Sequence, residues 1–266
     1  MPIDHPNPRV ALFVPCYIDQ LYPDVGLATL ELLEAHGVRV EVPTQQTCCG
    51  QPLINTGAVA AARPLAERFE SNFGEYEYIV CPSGSCAATL RRHPHLLGGQ
   101  PAGASGRVLE LCQFLVQVLG VERVDVDFPH RVALHESCHG LRELGLGRPS
   151  EMGAGFAPRA NPGRQLLERV RQLTLVELER ADECCGFGGS FCIAEPDVSA
   201  RMGSDRIDDF ERGGAQVITS GDMSCLMHLS GLIAKQGRPL AVMHIAQVLV
   251  GRPLPGAEDP GTGAGR

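Results

Sequence analysis

Apolar residues along the chain arrive in two rhythms that alternate. RVALFVPC (Arg9 to Cys16) is a continuous apolar run of the kind a strand buried on both faces requires. LATLELLEAHG (Leu27 to Gly37) then follows helical spacing to a glycine stop, and VRVEVP (Val38 to Pro43) alternates as a half-buried strand does. AVAAARPLAERFESNF (Ala58 to Phe73) predicts a helix with a proline in its first third. In the second half, RQLLERVRQL (Arg164 to Leu173) and PDVSARMGSDRIDDFERGG (Pro196 to Gly214) predict helices, and TLVELE (Thr174 to Glu179) a strand. Alternating strands and helices imply α/β layers with parallel strand pairing.

The same pattern occurs twice. RVALFVPC matches RVALHESC (Arg131 to Cys138), and YIVCPSGSC (Tyr78 to Cys86) matches VITSGDMSC (Val217 to Cys225). VLELCQFLVQVLG (Val108 to Gly120) matches VMHIAQVLVG (Val242 to Gly251), both read here as apolar segments with helical spacing. A period this long indicates a duplicated domain rather than a solenoid. The second copy is 14 residues longer before its central landmark, and the Gly- and Pro-rich stretch Leu144 to Arg164 reads as the inserted loop. The expected fold is two duplicated Rossmann-like α/β halves with parallel sheets, residues 1–128 and 129–252, packed as a pseudo-dimer. The apolar segments Val108 to Leu119 and Val242 to Val250 are candidates for the shared face. A Gly/Pro-rich tail, residues 253–266, is expected to be disordered.

Composition narrows the chemistry. The 266 residues carry a formal charge of −8, no Trp and 5% aromatics, which argues against a nucleic-acid groove, an anionic membrane surface or a base-stacking platform. No stretch approaches the roughly 18 apolar residues of a membrane-spanning helix. The N-terminal segment lacks the basic and apolar regions of a signal peptide. Eleven cysteines without such a signal fit a reducing, cytoplasmic setting, where thiols serve metals more often than disulfides.

Those cysteines are ordered. Cys16, Cys48-Cys49 and Cys86 form one set, and Cys138, Cys184-Cys185 and Cys225 the other, with a glycine (Gly50, Gly186) directly after each vicinal pair. Four thiolates from three segments can hold one tetrahedral metal or one iron-sulfur cluster. Adjacent side chains in extended backbone diverge, so a vicinal pair needs a sharp turn, for which glycine supplies the freedom. Two adjacent thiolates also suit two irons of one cluster, favouring iron-sulfur chemistry over zinc in the second half and leaving the first half open between them. Cys16, Cys86, Cys138 and Cys225 follow the C-terminal ends of strand-like runs, where α/β sheets gather ligands. Cys112 reads as core, and Cys81 as core or support for a ligand. Cys192, seven positions past Cys185, is open between ligand and structural roles. His135, His139 and His244 read as hydrogen-bonding or surface groups rather than ligands. GFGGS (Gly186 to Ser190) lacks the P-loop lysine, and no GxGxxG opens a helix, so no nucleotide or flavin site is indicated.

These residues resemble the cysteine-rich, or CCG, domain family, which includes heterodisulfide reductase B and the iron-sulfur subunits of glycolate oxidase and anaerobic glycerol-3-phosphate dehydrogenase. The resemblance spans about Arg9 to Gly251. PSGSC, CCGFGGSF and TSGDMSC are most similar to the lactate utilisation protein A family. It implies an iron-sulfur subunit of a complex oxidising L-lactate to pyruvate, acting with two companions, lactate utilisation proteins B and C. It implies a cluster, of the 4Fe-4S type, on Cys138, Cys184, Cys185 and Cys225 with Cys192 as a fifth candidate, and a second cluster or zinc on Cys16, Cys48, Cys49 and Cys86. Where the family has the first cysteine of a terminal CxxC, this chain has Ser83 and Asp222, which departs from the five-thiolate set of heterodisulfide reductase B. The alternatives are a thiol-disulfide reductase subunit of that type and a zinc-stabilised scaffold without catalysis.

Overall fold

The computed structural model describes residues 8–99, 103–152 and 161–256. Residues 153–160 of the expected inserted loop and residues 257–266 of the expected tail lie outside them. The first half runs β1 (Val10–Leu12), α1 (Cys16–Leu21), α2 (Pro23–Ala35), β2 (Val40–Glu41), α3 (Gln51–Asn55), α4 (Val59–Phe73), β3 (Tyr78–Cys81), α5 (Gly84–Leu97), β4 (Val108–Glu110) and α6 (Leu111–Gln117). After β5 (Val124–Asp127) come β6 (Arg131–Leu134), α7 (Pro162–Leu167), β7 (Val170–Arg171), β8 (Thr174–Leu175), α8 (Phe191–Ala194), α9 (Pro196–Arg212), β9 (Val217–Ser220), α10 (Met223–Gln236), β10 (Ala241–His244) and α11 (Ile245–Leu249).

Two four-stranded parallel sheets result, β2-β1-β3-β4 and β8-β6-β9-β10. Their strand order is the same, and so is their register. Val10 pairs with Tyr78 as Val132 pairs with Val217, and Cys81 pairs with Glu110 as Ser220 pairs with His244. The central strands are buried along almost their whole length, as parallel strands covered on both faces must be.

Three segments differ from expectation. Val108 to Gly120 and Val242 to Gly251 each begin as a sheet strand, because Val108 and Met243 fill the core, and become helical only after Glu110 and His244. Those two residues cap α6 and α11 from matching backbone conformations, φ −67°, ψ 148° and φ −67°, ψ 147°. Arg164 to Leu173 is not one helix. α7 stops at Leu167, and buried Val170 instead pairs with Val124 of β5, a tertiary contact that overrides helical spacing.

The halves share one core. Phe114 and Leu115 of α6 cluster with Leu166 and Leu167 of α7 and with Val248 and Leu249 of α11, and α2 supplies Leu32 and Leu33. Ile18 of α1 and Val25 of α2 join a cluster with Leu226 and Leu229 of α10. The expected shared face therefore forms, with helices of each half packed on the other. At its centre Ser83 and Asp222, equivalent positions of the repeat, meet each other in an antiparallel bridge. The Gly84 amide donates to the Gly221 carbonyl at 3.2 Å, and His244 Nε2 lies 3.1 Å from the Pro82 carbonyl.

Candidate metal centres

Each cysteine set assembles beyond the C-terminal edge of its sheet, from the same three kinds of local structure. Cys16 opens α1 just after β1, and Cys138 precedes a π-helical turn, His139–Glu143, just after β6. The vicinal pairs sit on loops that turn at Gly50 (φ 87°) and Gly186 (φ 86°), left-handed conformations that an L side chain resists. The turn aims each glycine amide back at the first thiol of its pair, Gly50 N to Cys48 Sγ at 3.5 Å and Gly186 N to Cys184 Sγ at 3.4 Å. Cys86 and Cys225 lie in the first turns of α5 and α10, which Ser83 and Asp222 cap.

In the first set, Cys16 Sγ lies 3.8 Å from Cys48 Sγ, and Cys49 Sγ lies 3.4 Å from Cys86 Sγ. Cys49 and Cys86 are buried, while Cys16 and Cys48 are half-buried, and all four border a cavity of about 180 Å³ that also reaches Tyr17 and Met223. In the second set, Cys184 neighbours Cys138 and Cys185, and Cys185 neighbours Cys225, closely enough to shift one another's proton affinities. Cys185 Sγ, Cys225 Sγ and a ring nitrogen of His135 all lie within 4.8 Å of one another.

Protons are shared unequally within each set. A hydrogen bond from Cys16 pulls the Cys48 thiol far below its ordinary value, and one from Cys138 does the same to Cys184. Cys86 falls to about 5 through its bond with Cys49. The donors Cys16, Cys49, Cys138 and Cys185 are pushed up by those bonds and by burial. Cys225 is pulled down by Cys185, yet burial and the Asp222 carboxylate leave it above its ordinary value. Crowded sulfurs of like charge cannot all ionise by themselves, whereas a cationic centre would stabilise every thiolate at once. The donor set therefore fits a metal or an iron-sulfur centre in both halves.

The remaining cysteines separate. Cys112 is packed in the shared core. Cys81, fully buried at the end of β3, donates to the Ser83 carbonyl at 3.5 Å, and burial and the neighbouring Cys86 push its thiol up, which makes it support for the first set. Cys192 turns back on its own loop, donating to the Gly189 carbonyl at 3.0 Å.

Each set is rimmed by the opposite half. The Tyr17 ring, next to Cys16, meets Phe187 after the second vicinal pair at 6.3 Å, and His139, next to Cys138, meets Gln51 after the first pair at 3.1 Å. These are reciprocal contacts between equivalent positions. His139 Nδ1 also lies 3.5 Å from Cys138 Sγ.

Two features escape sequence reasoning. Ser83 and Asp222 read in the sequence as missing thiolates, but both are helix caps, and Asp222 Oδ2 accepts from the Ser85 amide of the other half at 2.7 Å. The spacing of a capping residue just before each final cysteine was the available signal. His135 is 1% exposed, and its Nε2 has no hydrogen-bond partner among the described residues, whereas the sequence allowed either hydrogen bonding or a surface position.

A family model described as a cysteine-rich domain (CCG) matches residues 10–91 and 132–230. Lactate utilization protein A of Exiguobacterium sp. is 43% identical over 250 residues, covering 91% of this chain and 97% of that protein. The proteins of the same name from Geobacillus kaustophilus and Bacillus subtilis are 40% and 38% identical, with coverage of 92% of this chain and at least 99% of theirs. Among solved structures, a hypothetical protein from Helicobacter pylori shares the fold, with a TM-score of 0.61 at 9% identity. The match covers 94% of this chain and 49% of that one, so the chain spans about half its length.

Proposed function

Because the chain belongs to the cysteine-rich CCG domain family and, within it, to the lactate utilization protein A proteins, we propose that it is an iron-sulfur subunit relaying electrons in the oxidation of L-lactate to pyruvate. Cys138, Cys184, Cys185 and Cys225 would hold a 4Fe-4S cluster, and Cys16, Cys48, Cys49 and Cys86 a second cluster or a zinc ion. The observation that carries this reading is the convergence of four thiols in each half, beyond the sheet edge, on the same glycine-turned loop. A lactate-utilisation role is supported at the level of the family. The proposed units are residues 1–128 and 129–252, joined by the pairing of β5 with β7.

A bound cluster would supply reversible one-electron chemistry without moving a substrate bond. The chain's own residues fix the sulfur positions. Gly50 and Gly186 set the turns, and Ser83 and Asp222 hold the helix starts that carry Cys86 and Cys225. Half-burial of Cys16, Cys48, Cys138 and Cys184 leaves an exposed edge on each set through which a partner could exchange electrons, while Cys49, Cys86, Cys185 and Cys225 are shielded from water. No flavin or nicotinamide motif accompanies the sulfur sites, so the hydride step is assigned to a companion protein of the same system. Among the described residues no helix is long and apolar enough to cross a membrane. A cytoplasmic complex is proposed, because a reducing compartment keeps so many free cysteines available to metals.

The surroundings of the two sets favour assigning the redox centre to the second. His135 approaches it, whereas Phe13 occupies the equivalent position in the first half, edge-on to Phe69 and tilted against Phe73. Anaerobic purification followed by iron, zinc and acid-labile sulfide analysis tests the reading. Brown protein with iron and sulfide, reduced when L-lactate and the companion proteins are supplied together, is the expected result. Colourless protein containing zinc alone would refute electron relay and leave the scaffold reading. Reduction that responds to a disulfide but not to lactate would favour the heterodisulfide type.

A further inference from the structure

The buried edge of the second cysteine set holds a side chain that the ligand set does not use. His135 follows β6 at the position where the first half has Phe13, and both are almost completely buried. Phe13 is satisfied by other rings. His135 is not, because it carries two nitrogens that need partners. Nδ1 accepts a hydrogen bond from Arg206 Nε at 3.4 Å, and Nε2 has no partner among the described residues.

The identity of the Nδ1 partner decides the tautomer. A guanidinium has five N–H donors and no acceptor, so the nitrogen facing it must be the one without a proton. In a neutral ring the proton then lies on Nε2. The same contact disfavours the doubly protonated ring, whose Nδ1–H would point at the Arg206 N–H. Arg206 is itself fixed. Fully buried on α9, it bonds Asp209 at 2.9 Å and the carbonyls of Arg180 and Ala181 at 2.5 and 3.0 Å, and it lies 4.4 Å over the Phe210 ring. Asp209 in turn accepts from the amides of Glu179 and Arg180. One network therefore pins the segment leading into Cys184-Cys185 and sets the orientation of His135.

We propose that His135 is a fixed Nε2–H donor to the sulfur of the second centre, held in that tautomer by Arg206, and that it makes the second centre easier to reduce than the first. Metal ligation by Nε2 would require the opposite tautomer, placing an Nδ1–H against the Arg206 N–H. A histidine that binds metal instead donates its other N–H to a carboxylate, carbonyl or water. A buried N–H aimed at thiolate or sulfide sulfur stabilises the electron-rich reduced state, which is how hydrogen bonds tune such potentials. Phe13 offers no donor, so the two sets differ in this respect although they share ligand types. If both hold clusters, electrons entering at the first would run toward the second. The redox part of this inference rests on the iron-sulfur reading above, while the tautomer does not.

The test uses the full chain, anaerobically purified and titrated with redox mediators while the paramagnetic and visible signals are followed. His135→Phe is expected to retain its iron and sulfide. At a fixed potential near the wild-type midpoint, its ratio of reduced to oxidised second centre should fall about tenfold, equivalent to ~59 mV for one electron. His135→Gln, whose amide still donates, should recover part of that shift, and the first centre should not move in either variant. An unchanged midpoint in His135→Phe with full iron content overturns the proposal. Loss of iron in both variants also overturns it, because it would make His135 a ligand. If the variants fail to fold, nitrogen NMR of wild-type protein with labelled histidine decides, since a proton on Nδ1 would refute the tautomer. Wild-type protein lacking iron would refute electron relay alone, and the same NMR measurement would still decide the tautomer of His135.

Discussion

Replacing Glu110 with glutamine should change how stability depends on pH more than it changes stability itself. Glu110 ends β4 and caps α6, with one carboxylate oxygen accepting from the Gln113 amide at 3.0 Å. It is 3% exposed and borders a small cavity shared with Glu136 and Asn161. Burial, with a further contribution from the Asp222 carboxylate, raises its pKa from 4.5 to about 7, against the lowering effect of its amide bonds. The folded state thus keeps its proton over a range where the unfolded chain has lost it. Stability from this group is complete below 4.5 and is lost as pH rises through about 7. At roughly 1.4 kcal/mol per pH unit, that interval corresponds to ~3 kcal/mol. Glutamine keeps an acceptor for the Gln113 amide and cannot ionise. Denaturant unfolding of both proteins at pH 5 and pH 8.5, with equal metal content, should show the variant gaining about 3 kcal/mol relative to wild type at the higher pH. Glu136, also pushed up to about 7 by burial, tilts both curves alike and cancels in the difference. Parallel curves for the two proteins would refute the reasoning, because they would mean that Glu110 is ionised and solvated in the fold.

Gly186→Ala should disrupt the second centre far more than Gly50→Ala disrupts the first. Both residues have φ near 87°, costing roughly 1–2 kcal/mol for alanine, but only at Gly186 would the new Cβ meet the Ser199 carbonyl at 2.6 Å. Metal content and melting temperature of the two variants measure the difference. Cys185→Ser should abolish visible absorption and redox activity, whereas Cys49→Ser should mainly lower the melting temperature if the first centre is structural, because metal binding there is coupled to folding. Equal iron loss from both would show two equivalent clusters. Asp222→Ala removes the cap of α10 and strands the buried Ser85 amide of the opposite half, for a loss of about 2–4 kcal/mol in chemical denaturation. Asp222→Asn should restore most of it.

The duplication was legible because matched apolar runs demand matched strands, and the register of both sheets follows the sequence alignment of the halves. Grouping of the cysteines was equally legible, since their order along the chain mirrors the strand ends that deliver them. Contacts distant in sequence were not. Arg164 to Leu173 has helical spacing, but Val170 is claimed by a strand 46 residues earlier, and periodicity carries no trace of that partner. His135 looked ambiguous because its orientation is set by Arg206, 71 residues away on another helix. Ser83 and Asp222 were read only for what they lack, since their meeting across the two halves is invisible within either half.

That meeting bears on ancestry. Ser83 and Asp222 occupy the same place in the repeat, and a position that touches its own counterpart lies on a twofold axis. The reciprocal contacts of Tyr17 with Phe187 and of His139 with Gln51 obey the same axis. An ancestor containing one unit could have associated with itself through this surface as a symmetric homodimer, with two identical sulfur sites each bordered by the neighbouring copy. Fusion of two gene copies would have released the sites from identity while preserving the surface between them. Phe13 facing one site and His135 the other records the divergence that symmetry had forbidden.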